Sequence, residues 1–152
     1  MSSKVFSFKT QMAVGDLGES SFLKTYSELI PVKSTERAVD FILKDGKTVE
    51  LKTDDYAMER TANFFMEITS HGKLGGPYRA QQDNVDFFVY YFIKNKTFFW
   101  FNTKTLCAKL DEIIPIHKFK LKTIQNRGWS AEGYAVPREL LECVLLKTDV
   151  FS

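Results

Sequence analysis

Residues 85–93 and 97–102 form two nearly unbroken apolar runs, Val-Asp-Phe-Phe-Val-Tyr-Tyr-Phe-Ile and Thr-Phe-Phe-Trp-Phe-Asn, separated only by Lys94, Asn95 and Lys96. A strand that is wet on one face alternates apolar and polar residues, whereas a run that is apolar at every position must be covered on both faces. The two runs therefore predict adjacent interior strands joined by a tight turn, at the centre of a sheet with material packed above and below it. A ligand pocket would also use such aromatics, but core strands account for them more simply. A chain of 152 residues, 44% of them apolar, is long enough for one core of this kind. With no internal repeat and no Pro/Ser-rich linker, residues 1–152 read as a single domain.

Other elements follow from local pattern. Asp16 and Glu19 have capping-box spacing, and Phe22, Leu23, Tyr26, Leu29 and Ile30 recur at helical intervals up to Pro31, which predicts a helix over 16–29. Residues 38–53 predict a hairpin around Lys44-Asp45-Gly46-Lys47, and 63–69 a further strand. A Gly-rich loop and a short helix are expected over 70–83, a helix over 103–114, an alternating strand over 118–123 and a helix over 137–142 opened by Pro137. The class is mixed α/β.

Composition excludes more than it assigns. The formal charge of +2 gives no global attraction to a polyanion, so any such attraction must come from local clusters. Cys107 and Cys143 lack metal or redox spacing and read as reduced thiols. His71 and His117 are the only histidines, too few for a histidine-based zinc site or a hydrolase triad. The glycines at 72, 75 and 76 lack the phosphate-loop order and read as a mobile, substrate-facing loop. No apolar run is long enough to cross a bilayer, and the expected location is the cytoplasm, or the host cytoplasm if a phage encodes the chain.

The informative segment is 39–52, Val-Asp-Phe-Ile-Leu-Lys-Asp-Gly-Lys-Thr-Val-Glu-Leu-Lys. Residues two apart on a strand share a face, so Glu50 and Lys52 point to one side while Val49 and Leu51 point to the other. Turn length then decides the position of Asp40. A two-residue Asp-Gly loop pairs it with Leu51; a three-residue loop, with Gly46 at positive φ, pairs it with Glu50. Lys-Asp-Gly suits the latter, which brings two carboxylates to roughly 5 Å between Cβ atoms, close enough to share a divalent ion. Hard oxygen ligands suit Mg2+, with Mn2+ as a substitute, and Lys52 would orient or deprotonate a water or stabilise charge on a phosphorane-like transition state. Taken without wider context, the same three residues read as a solvent-facing hairpin with solubilising charges.

With the preceding helix and the strands that follow, this string resembles the PD-(D/E)XK nuclease superfamily, whose restriction-endonuclease-like core is a helix, a largely antiparallel three-stranded meander, a second helix and a further strand. The resemblance covers about residues 15–102, with Val39 where Pro is usual, and the stretch 63–92 is similar in type to compact phage nucleases. It implies a central mixed sheet flanked by helices. It also implies Asp40 and Glu50 as metal ligands, with the Leu51 carbonyl as a further one, and Lys52 as the catalytic lysine. Asn63, Glu67, Gly75, Gly76 and Asp86 would fall on later family positions, with Asn63 and Glu67 as support. Glu19 is either an additional acid facing the metal or a partner in the capping box.

The expected function is Mg2+-dependent endonucleolytic hydrolysis of DNA phosphodiester bonds, on branched or specific double-stranded substrates of the homing, restriction or junction-resolving kind. A homodimer would supply two sites for two strands, and no membrane is expected to take part. In that context Lys118, Lys120 and Lys122, with Arg127 and Trp129, read as a phosphate- and base-contacting surface; otherwise they are ordinary charges on an amphipathic strand. The alternative is a non-catalytic nucleic-acid-binding module on the same scaffold.

Overall fold

The computed structural model describes residues 3–33, 39–126 and 129–151. The chain opens with α1 (Ser3–Thr25), a 3-10 turn (Ser27–Leu29), β1 (Val32–Lys33), β2 (Phe41–Ile42) and β3 (Thr48–Asp54), then β4 (Asn63–Ser70), β5 (Lys73–Leu74) and α2 (Gly76–Gln82). After these come β6 (Phe87–Phe92), β7 (Thr97–Asn102), α3 (Thr103–His117), β8 (Lys122–Asn126), β9 (Trp129–Pro137), a 3-10 helix (Arg138–Val144) and β10 (Leu145–Val150).

Six strands form one mixed sheet in the order β1-β2-β3-β6-β7-β10, in which only β3 and β6 run parallel. The strands β6 and β7 are central and covered on both faces, as their composition predicts. Val89, Tyr91, Phe98 and Trp100 pack with Phe22 of α1, with Tyr26 just after it, and with Phe41 and Val49. Phe88, Tyr90, Phe92, Phe99 and Phe101 pack on the other side with Leu106 and Leu110 of α3, Phe64 and Met66 of β4, and Val136 of β9. Each fully buried aromatic or aliphatic side chain contributes roughly 1.5–3 kcal/mol by leaving water. The structure is thus α/β, with a mixed central sheet flanked by helices.

Four elements differ from expectation. The first helix begins at Ser3, so Asp16 and Glu19 lie within it and form no N-terminal capping box; spacing alone cannot mark a start when the preceding residues also tolerate helix. It stops at Thr25, and the chain then turns through Ile30 at φ 48° ahead of Pro31, which disfavours helix at the residue before it. The strand over 63–69 joins a second sheet, ordered β5-β4-β9-β8, instead of neighbouring β3. Lys118 ends α3 in the left-handed conformation (φ 53°) and no strand forms before Lys122, so the three lysines do not alternate along one strand. Residues 138–144 wind as a 3-10 helix with Pro137 capping it.

Two contacts set the frame of the site. At Gly18 α1 comes so close to β3 that an added Cβ would lie 1.9 Å from Thr53 Oγ1. On the opposite face, the Tyr90 hydroxyl donates to Asp54 and accepts from the Phe65 N–H at 3.0 Å, tying β3 and β6 to β4. Cys107 is buried, its thiol pushed up to about 12 chiefly by burial, and Cys143 is exposed; both are free. Among the described residues no helix is long and apolar enough to cross a membrane.

Candidate active site

The site begins with the turn. Leu43 N–H donates to the Lys47 carbonyl at 2.8 Å, Gly46 N–H to the Leu43 carbonyl at 2.8 Å, and Gly46 has φ 88°. A side chain at that φ is strained, and glycine is not. Ile42 is opposite Thr48 and Phe41 opposite Val49, the pairing of the three-residue loop, and Asp40 lies one residue before β2, beside the strand that carries Glu50. The N–H of Asp40 donates to the Val49 carbonyl at 3.0 Å, and its Oδ2 accepts the Leu51 N–H at 2.7 Å. The carboxyl group is therefore fastened to the edge of β3. A strand residue turns its N–H and C=O toward the same neighbour, so the Leu51 carbonyl faces that edge too.

Asp40 and Glu50 act on each other, and both are raised above the ordinary carboxyl range. Burial is the leading cause for each; the negative charge of Asp40 adds to the rise at Glu50, and that of Glu19 to the rise at Asp40, while the Leu51 N–H opposes the rise at Asp40. Two half-buried acids this close ionise together only at a cost, which a cation between them would offset.

Lys52 projects from the same face of β3 as Glu50, and its charge acts on Glu67, which reaches the site from the second sheet. Burial raises Glu67, and Lys52 and then Arg79 lower it. Glu50, Glu67, Gly75, Gly76, Arg79 and Ala80 line a cavity of about 170 Å³. A bulge interrupts β4 between Glu67 and Thr69, the kind of irregularity that re-aims a side chain. The glycine loop forms a wall against this acid: a Cβ at Gly75 would stand 2.9 Å from Glu67 Oε1, and one at Gly76 2.2 Å from the Glu67 carbonyl oxygen.

The remaining expected residues divide. Glu19 is carried in by α1 and pairs with Lys33 at 2.9 Å, within electrostatic reach of Asp40. Asn63 opens β4 four residues before Glu67 and is not among the cavity-lining residues; its N–H donates to Thr61 Oγ1 at 3.2 Å. Asp86 accepts the Thr48 N–H at 2.9 Å and clamps the starts of β3 and β6. Lys118, Lys120 and Lys122 are exposed and do not line the cavity. Arg127 and the side chain of Trp129 lie outside the described residues. Arg79 was not expected from the sequence, where a lone arginine in a short polar helix carries no signal distinguishing it from a solubilising charge.

The donor set fits a hard divalent ion. Asp40 and Glu50 offer carboxylate oxygens and Leu51 a carbonyl, and Mg2+ is typically held by one or two carboxylates while keeping several waters. No closed cage of three or more His, Cys, Asp or Glu side chains exists among the described residues. Comparison with family models, curated proteins and solved structures finds no match to this chain.

Proposed function

We propose that the chain is a Mg2+-dependent deoxyribonuclease built on a restriction-endonuclease-like core. The observation that carries this reading is the turn that seats Asp40 at the edge of β3, its Oδ2 accepting the Leu51 N–H at 2.7 Å beside Glu50, with Lys52 on the same strand face as Glu50. Topology lends support: α1 and the antiparallel β1–β2–β3 are followed, after β4 and β5 of the second sheet, by α2 and by β6 parallel to β3.

Asp40, Glu50 and the Leu51 carbonyl would hold the ion, which supplies positive charge to a phosphate oxygen and acidifies water. In the hydrolysis a water oxygen bonds to phosphorus, the bond from phosphorus to one sugar oxygen breaks, the water gives up a proton and the sugar oxygen gains one. Lys52 orients that water or stabilises the charge growing on the phosphoryl oxygens, with Glu67 within its electrostatic reach. Exposed Lys118, Lys120 and Lys122 would add phosphate contacts that carry no sequence information. Cutting both strands would call for two copies.

The test is to incubate plasmid and branched DNA with the protein and Mg2+ or Mn2+, then with Lys52→Ala and Glu50→Ala. The expected result is cutting by the wild type and a loss of at least about 100-fold in each variant. Cutting that neither change affects would reject the site, and binding without cutting in either metal would favour a non-catalytic binding module.

A further inference from the structure

The hydrolytic reading leaves one charge in the cavity without a role. Arg79 lies on α2 and lines the cavity with Glu50 and Glu67, and its positive charge acts on both acids. It is not committed to a structural partner. Its one ion pair among the described residues, Nε to Asp83 Oδ2 at 3.7 Å, is loose, and its side chain is 51% exposed. An ion pair of that geometry and exposure contributes little to stability. Between the site acids and solvent, then, stands a guanidinium that can be withdrawn from its present neighbours at small cost.

Any phosphodiester entering the cavity brings negative charge toward Glu50 and Glu67, and something must offset that repulsion besides an ion on the Asp40–Glu50 side. A guanidinium suits this better than an ammonium, because its planar fork can donate to two phosphate oxygens at once. Lys52 stands on β3 and Arg79 on α2, so the two cations are carried by separate elements, and of the two Arg79 lines the cavity. Resting on the nuclease reading above, we propose that Arg79 grips the backbone phosphate that enters this cavity, laying its fork across the non-bridging oxygens. In the free protein the guanidinium lines the cavity beside these acids and pairs loosely with Asp83; with substrate the phosphate becomes its partner.

The experiment measures binding of a fluorescent DNA duplex by anisotropy in Mg2+ at several KCl concentrations, in a Lys52→Met background, with Arg79→Gln and Arg79→Lys added. Thermal melting confirms that each variant is folded. Arg79→Gln is expected to weaken binding about tenfold and to lower the slope of log affinity against log salt by about one. Arg79→Lys should keep the slope and lose part of the affinity. Unchanged affinity and slope in Arg79→Gln would overturn the inference while leaving hydrolysis by Lys52 standing. If the wild type cuts nothing yet Arg79→Gln still lowers affinity and slope, the hydrolysis reading falls and the phosphate contact stands. If the parent protein binds no DNA, both fall.

Discussion

Two acids on the same face of β3, four residues apart, have opposite fates. Asp54 receives the Tyr90 hydroxyl, which also accepts the Phe65 N–H, so a carboxylate, a phenol and a backbone amide satisfy one another and join the two sheets. Glu50 instead meets Asp40, with Glu67 contributing further negative charge. The sheet supplies a donor where the acid serves the fold and opposes acid to acid where the fold gains nothing from it. Such a conflict persists when something outside the chain resolves it, a role that the proposed function gives to a cation.

The contrast is sharpest in substitutions of opposite sign. Tyr90→Phe removes the donor from Asp54 and the acceptor from Phe65, and should cost about 2 kcal/mol in urea unfolding. Gly18→Ala forces α1 away from Thr53 and should cost on the order of 1–2 kcal/mol, with weaker divalent-ion binding as Glu19 shifts with the helix. Glu50→Gln should do the reverse. Without metal at pH 8 it should raise stability by about 1 kcal/mol, read as an upward shift in Tm, because it removes a charge the folded state disfavours.

The pH dependence follows from the same directions. Asp40 and Glu50 bind protons more tightly folded than unfolded, so their contribution is complete below the ordinary carboxyl value near about 4 and is lost as pH rises through the folded values. Metal-free stability should therefore decline as pH rises through neutrality, more steeply in the wild type than in Glu50→Gln. Saturating Mg2+ should flatten the wild-type curve. Equal slopes in the two proteins would remove the basis of the contrast.

What the sequence made legible was local. The register of the hairpin could be read because Lys44-Asp45-Gly46 obeys a short-range rule linking loop length to pairing, and the covered strands because no wet face tolerates Phe87–Phe92. The contribution of the second sheet was not legible. Nothing in Asn63–Ser70 says that it pairs with Trp129–Pro137 more than sixty residues later, so the sequence does not reveal that Glu67 lines the cavity with Glu50 from a second sheet. Asp16 and Glu19 mimicked a helix start because a capping box is a spacing and the same spacing occurs within helices. Arg79 escaped notice because its meaning lies in what it faces.

The central claim is that the side chains of Asp40 and Glu50 share one divalent ion. Mn2+ soaked into crystals at neutral pH tests it directly by anomalous scattering. The expected result is a peak between those two carboxylates, lost in Glu50→Gln; a peak bound elsewhere, or none beside Asp40 at saturating Mn2+, would contradict the account.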